Sequence, residues 1–224
     1  NFLATTFAKP ECVNVFLGRI NSYFSDNGLG SGRNIGEKTT LASQRSVEEA
    51  NGENGGTTRQ IAASMRSAGQ LPLLAGVDVF TMPLKVAAAA REELPADFAS
   101  RRSEDYEVEL HPEISPEEVR MECLYELTQK ELDFIHKLTE NPPINGKELA
   151  ERARNGGCED LFPELDAEDL ERIASEGKIP AHATWKSDIA EEKTAIDTLL
   201  NLAGLETFEK DQAELDHRIG ALIE

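Results

Sequence analysis

Short apolar runs characterise the first 90 residues of the chain, whereas longer amphipathic segments characterise the rest. Apolar runs of this length are typical of strands that are buried on both faces of a parallel sheet. The pattern predicts four such strands: Asn1–Phe7, Cys12–Leu17, Arg59–Ser64 and Val77–Met82. A short helical stretch, Ser67–Ala75, lies between the last two strands. The first part of the chain is therefore predicted to be α/β.

The first two predicted strands lie very close together in the sequence. Only the four residues from Ala8 to Glu11 separate them. A crossover between parallel neighbours takes roughly a dozen residues or more. Either these strands form an antiparallel hairpin, or a connecting segment is missing from the chain. We favour the second alternative.

Helical patterns replace strand patterns beyond about residue 110. Ser115-Pro116-Glu117-Glu118 combines a capping serine, a first-turn proline and a capping-box glutamate. It predicts a helix that continues to Asn141-Pro142-Pro143. Other helices are predicted at Leu41–Ala50, Leu84–Leu94, Ala167–Glu176, Ser187–Ala203 and Glu206–Ile223. The predicted organisation is an α/β region at residues 1–110, followed by an acidic all-helical region at residues 111–224.

The charge of the chain limits the classes of partner. The formal net charge is −19 at pH 7, and residues 91–224 contain 35 acidic and 15 basic side chains. Nucleic acids and anionic membrane surfaces select a basic face, so neither is expected as a partner. No signal peptide and no membrane-spanning apolar run is visible. Cys12, Cys123 and Cys158 are widely spaced without a CxxC pair, which predicts a reducing, cytoplasmic environment.

Polar side chains follow two of the predicted strands at the points where those strands end. Arg19 follows the second strand, and Ser64 and Arg66 follow the third. The carboxyl ends of parallel strands form the ligand-binding edge of α/β folds. A guanidinium fork matches the oxygens of a phosphate group. The sequence therefore predicts an anion-binding site at this edge.

Neither a metal nor a cofactor is expected. The glycine-rich segment Gly28–Gly32 lacks the GxGxxG spacing and the strand-to-helix context of a dinucleotide-binding loop. The histidines are scattered through the acidic region, and no second pair complements Asp133 and His136 as metal ligands. Trp185 is interpreted as a packing residue.

The motifs AASMRSAGQLPLLAGVDVFTMP and VNVFLGRI together resemble the transaldolase family, which includes the fructose-6-phosphate aldolase-like branch. The resemblance covers residues 1–90 and continues weakly into the final helix. It implies a (β/α)8 TIM barrel in which a strand-four lysine forms a Schiff base with a ketose phosphate. The four predicted strands would be strands five to eight, the C-terminal half of the barrel.

The resemblance also implies roles for individual residues. Substrate contacts are expected from Asn1, Thr5 (or its neighbour Thr6), Asn14 and Phe16, and phosphate contacts from Arg19, Ser64 and Arg66. Strands one to four and their Schiff-base lysine are absent, and Lys85, beyond the last strand, does not replace it. No catalytic residue is therefore expected in this chain, which should be inactive alone.

The expected function is transaldolase-type transfer of a three-carbon ketol unit between sugar phosphates. This segment would supply the phosphate clamp, and the lysine would lie upstream. One alternative is a non-catalytic sugar-phosphate-binding or scaffold protein, and another is a fructose-6-phosphate aldolase-like lyase. The expected partners are sugar phosphates and an N-terminal barrel half, in the same parent chain or as a separate protein. A homo-oligomer is a further alternative.

Overall fold

A three-stranded parallel sheet forms the centre of the first region. The computed structural model describes residues 1–223, with strands β1 (Cys12–Phe16), β2 (Arg59–Ala63) and β3 (Val79–Phe80) in the order β1-β2-β3. Phe16 lies opposite Ala63, and Ala62 lies opposite Phe80. All three strands therefore end at the same edge of the sheet.

The prediction of half a TIM barrel with four strands is wrong. The sheet is open and has three strands in the described residues, and the chain is mostly helical. The predicted first strand, Asn1–Phe7, is instead helical and ends in a π-helical turn at Ala4–Ala8. Its buried side chains are Phe2, Thr5 and Thr6, which follow helical spacing. A short apolar run cannot be assigned to strand or helix from its sequence pattern alone.

This correction removes the difficulty of the short connection. No parallel crossover is needed between residues 1–7 and β1, because the first segment is not a strand. Lys9 adopts a left-handed conformation with φ 47°, and its N–H donates to the carbonyl of Ala4. The chain reverses there and enters β1 three residues later.

The helices of the first region differ from the prediction in number and in length. They are α1 (Leu17–Asp26), α2 (Ile35–Asn54), α3 (Gln70–Leu73) and α4 (Leu84–Glu93). α1 begins directly after β1, and α2 begins six residues before the predicted start at Leu41. The polar stretch at residues 21–40, for which no helix is predicted, is helical at residues 21–26 and 35–40. Its polar residues Asn21 and Glu37 are hydrogen-bonded to each other.

The acidic region contains five α-helices among its described residues: α5 (Gln129–Glu140), α6 (Gly146–Asn155), α7 (Ala167–Glu176), α8 (His182–Ala190) and α9 (Ile196–Ile223). The long helix predicted from Ser115 does not form. Arg120 has φ 47°, so the chain makes a 3₁₀ turn at Met121–Leu124 before Thr128 caps α5. α7 matches its predicted bounds.

One hydrophobic core crosses the predicted boundary at residue 110. It contains Leu17, Tyr23 and Met65 from the first region and Trp185 and Leu199 from the acidic region. The Trp185 side chain is 1% exposed and its Nε1–H donates to Glu176 at 2.9 Å. The acidic helices are thus packed against the sheet region. No helix within residues 1–223 has the length and apolar composition that a membrane span requires.

Candidate functional site

Arg19, Ser64 and Arg66 lie at the carboxyl edge of the sheet, grouped around Gly18. Gly18 and Arg19 are in the first turn of α1, directly after β1, and Ser64 directly follows β2. A Cβ atom at Gly18 would lie 2.0 Å from the Ser64 carbonyl oxygen, 2.9 Å from Arg66 Nε and 3.1 Å from Ser64 Oγ. Only glycine permits this close approach. It brings the hydroxyl of Ser64 and the guanidinium of Arg66 next to the start of α1.

Arg19 is held by aromatic packing. Its guanidinium carbon lies 4.5 Å from the ring centre of Phe16 and 5.3 Å from that of Phe208 on α9. A Cβ atom at Gly204 would lie 2.5 Å from Arg19 Nη1, so α9 passes close to this side chain. Stacking on aromatic rings orients a guanidinium while leaving its N–H groups available.

The two arginines form a local excess of positive charge in an acidic protein. Within residues 1–223, neither guanidinium has a carboxylate partner within ion-pair distance. Burial lowers the pKa of Arg19, and the positive charge of Arg66 lowers it further. The repulsion between the two guanidinium groups is relieved by an anion bound near them.

The loop after β2 has a defined, strained geometry. Ser64 has φ 64°, in the left-handed region that non-glycine residues rarely adopt. The next turn is fixed by Gln70, whose Oε1 accepts from the N–H groups of Arg66 at 2.7 Å and Ser67 at 3.2 Å. Such strain is retained where surrounding contacts enforce it, and it is concentrated at functional sites.

Four of the predicted site residues line one cavity of about 340 Å³: Asn1, Asn14, Phe16 and Arg19. This volume lies within the usual range for small-molecule sites. Asn1 Nδ2 donates to Ser43 Oγ at 2.7 Å and to the carbonyl of Asn14 at 3.2 Å. Polar groups and the Phe16 ring therefore line the same cavity.

Arg66 lines a different groove of about 360 Å³, and Gly18 lines that groove too. The adjacent residues Gly18 and Arg19 therefore contribute to different openings, Gly18 to the groove and Arg19 to the cavity. The predicted substrate residue Thr5 and its neighbour Thr6 are not at the cavity wall. Their side chains are buried at the N-terminal turn, and their hydroxyls have no hydrogen-bond partner.

Asp197 is a cavity residue that the sequence did not indicate. It lies in the first turn of α9, and its buried Oδ1 has no hydrogen-bond partner within residues 1–223. Burial raises the pKa of this carboxyl group, which favours the protonated form. In that form it can donate a hydrogen bond to a ligand oxygen. An acidic residue in a first helical turn normally indicates a surface position, so the sequence carries no signal for this role.

Other reactive groups do not contribute a nucleophile to the cavity. Cys123 lines it, but burial raises the pKa of this thiol to about 12, which keeps it protonated. No lysine lines the cavity or the groove in the part of the chain that the structure describes. Lys85 is exposed at the start of α4. No cluster of three or more potential metal ligands occurs within residues 1–223.

Comparison with known proteins identifies no relative. No family model, curated protein or solved structure matches the chain. The resemblance to transaldolases therefore stays a prediction from the motifs, and the function is argued from the site itself.

Proposed function

We propose that the chain binds a phosphorylated sugar, with Arg19, Ser64 and Arg66 holding its phosphate group. The observation that carries this proposal is the approach of Arg66 and the Ser64 hydroxyl to Gly18, the neighbour of Arg19, at the edge where parallel strands end. Within residues 1–223 neither arginine has a carboxylate partner. Each charged hydrogen bond to a phosphate contributes about 1.5–3 kcal/mol. The polar cavity beside Arg19 supplies room for the sugar, whose hydroxyls suit the amides of Asn1 and Asn14.

The proposal is tested by replacing Arg66 and measuring binding by calorimetry. Arg66→Ala should weaken the binding of fructose 6-phosphate by about 2 kcal/mol, a loss of roughly 30-fold, and should leave the binding of fructose unchanged. The matched control is Arg91→Ala, since Arg91 is an exposed arginine of α4. Equal losses for both sugars would contradict a phosphate-binding role of Arg66, and no binding of fructose 6-phosphate to the wild-type chain would contradict the function.

Catalysis on the bound sugar phosphate is a second proposal, which depends on the first. Transaldolase-type transfer of a three-carbon ketol unit, or fructose-6-phosphate aldolase-like cleavage, requires a Schiff-base lysine. None lines the cavity or groove within residues 1–223, so the lysine would have to come from another segment or polypeptide. The outer strands β1 and β3 each have one described neighbour, which leaves edges to which such a segment could add. Without it, the chain is a non-catalytic binder.

Borohydride trapping distinguishes these alternatives. The chain alone, incubated with fructose 6-phosphate and borohydride, should show no added mass, because no desolvated lysine faces the ligand. Serum albumin, which has many surface lysines, serves as the control for non-specific trapping of the sugar on exposed lysines. A stoichiometric adduct on one lysine of this chain would contradict the proposal that the nucleophile lies elsewhere. We also propose a cytoplasmic location, which the free thiols of the three cysteines support.

A further inference from the structure

A buried carboxylate lies beside the Ser64–Ser67 loop and lines the same groove as Arg66. The side chain of Glu37 is 3% exposed and lies in the first turn of α2. It has no cationic partner among the described residues; instead Gln70 Nε2 donates to its Oε1 at 2.7 Å, and Asn21 Nδ2 donates to its Oε2 at 3.1 Å. The positive end of the α2 dipole favours a negative charge at this position.

The same glutamine connects that carboxylate to the loop. While Gln70 Nε2 donates to Glu37, Gln70 Oε1 accepts from the N–H groups of Arg66 and Ser67. An amide can satisfy both sides only in one orientation, because the carboxylate can only accept and the backbone N–H groups can only donate. Glu37 therefore favours the orientation in which the carbonyl oxygen of Gln70 faces the loop.

Further contacts fix Glu37 itself. Asn21 Oδ1 accepts from the N–H of Gly36 at 2.7 Å, so α1 is bonded to the start of α2. A Cβ atom at Gly36 would lie 2.3 Å from the carbonyl oxygen of Leu17, which shows how closely the two helices approach there. The support of the loop is thus part of the rigid framework that also carries Gly18 and Arg19.

We propose that Gln70, oriented by the buried carboxylate of Glu37, is a positioning residue that holds the Ser64–Ser67 loop in its phosphate-binding conformation. This inference rests on the proposed function for its ligand. Because the Ser64 backbone is strained, the loop should relax to another conformation when the N–H groups of Arg66 and Ser67 lose their acceptor. Relaxation displaces the Arg66 guanidinium from Gly18 and weakens the binding of a phosphate group without touching the sugar cavity.

The test compares Gln70→Met with Gln44→Met. Gln44 is a matched control because it is also buried and does not contact the loop. Its amide likewise bonds a carboxylate and a backbone N–H, both of which belong to Asp78. Gln70→Met should weaken fructose 6-phosphate binding about tenfold and spare fructose, whereas Gln44→Met should spare both. In an Arg66→Ala background, Gln70→Met should add no further loss. An equal loss for both sugars, or an additive loss in that background, would overturn the proposal.

A ligand-free measurement separates this inference from the proposed function. Hydrogen exchange of the Arg66 and Ser67 amides should accelerate about tenfold or more in Gln70→Met and not in Gln44→Met. Glu37→Gln, which keeps the size of the side chain, should give a smaller acceleration and serves if Gln70→Met fails to fold. Unchanged exchange in Gln70→Met and in Glu37→Gln would overturn the positioning role even if the wild-type chain binds phosphate. Accelerated exchange in a chain that does not prefer fructose 6-phosphate would instead refute the proposed function and the role of the loop in it.

Discussion

At the scale of single residues, Ser64 combines a hydroxyl that is proposed to bind phosphate with a strained backbone. Its φ of 64° costs roughly 1–2 kcal/mol for a residue with a Cβ atom. Ser64→Gly removes both the strain and the hydroxyl, whereas Ser64→Ala removes only the hydroxyl. We expect the glycine variant to be more stable than the alanine variant by about 1 kcal/mol in urea unfolding.

The same pair separates stability from binding. Both substitutions should weaken fructose 6-phosphate binding by similar factors, because both lack Oγ. If the alanine variant retained full phosphate affinity, the hydroxyl would not be a ligand group. If the two variants were equally stable, the left-handed conformation of Ser64 would carry no cost in this chain.

The position of Arg19, Ser64 and Arg66 at one edge of the sheet could be predicted from the sequence, whereas their role in phosphate binding stays a proposal. Arg19, Ser64 and Arg66 come directly after apolar runs, and parallel topology brings such positions to one edge. Gln70 and Asp197 could not be predicted in this way. Their importance arises from burial against segments far away in the sequence, and neither residue type nor local spacing records such contacts.

At the scale of elements, the capping motif at the start of α5 gives a quantitative test. Thr128 Oγ1 accepts from the N–H of Glu131, and the Glu131 carboxylate accepts from the N–H of Thr128 at 2.6 Å. Thr128→Ala should reduce the free energy of unfolding by about 1 kcal/mol, as measured by urea denaturation.

The control for this prediction lies on the same helix. Thr139 is exposed near the end of α5, where its hydroxyl bonds the carbonyl of His136. Thr139→Ala should change the free energy of unfolding by no more than about 0.5 kcal/mol. Equal effects of the two substitutions would mean that the cap does not determine where α5 begins.

Start signals and apolar runs each predicted some elements correctly and others wrongly. The cap signal at Ser115 is not followed by the predicted helix, whereas the apolar runs at Cys12–Leu17 and Arg59–Ser64 form β1 and β2. Asp166 and Gly177 bound α7 as the sequence indicated. The run at Asn1–Phe7 contains β-branched and aromatic residues and was interpreted as a strand, but its buried positions follow helical spacing. The half barrel that the resemblance implied counted this run as one of its four strands, whereas the sheet has three strands in the described residues.

At the scale of the whole molecule, Tyr23 and His182 join α1 to the acidic region. The Tyr23 hydroxyl lies 2.8 Å from His182 Nδ1 in a buried contact. The backbone N–H of His182 donates to Asn27 Oδ1 at 2.8 Å. A neutral imidazole can accept at Nδ1 from the tyrosine hydroxyl, whereas a protonated one cannot. When His182 takes up a proton, Nδ1 becomes a donor, so the Tyr23 hydroxyl would have to accept and the buried ring would carry a charge.

The pH dependence of stability follows from the pKa of His182. Burial lowers this pKa below its ordinary value of 6.5, a shift that the Glu118 carboxylate partly opposes. The unfolded chain consequently binds a proton at higher pH than the folded chain. The contribution of His182 to the free energy of unfolding is therefore fully present above about pH 6.5 and falls as the pH drops towards the folded pKa.

His182→Asn keeps an acceptor for Tyr23 but cannot be protonated. In urea unfolding between pH 8 and pH 5, it should reduce this fall, while His217→Asn, at an exposed position of α9, should not. An identical fall in His182→Asn and in the wild-type chain would show that this contact does not make the attachment of the acidic region sensitive to pH.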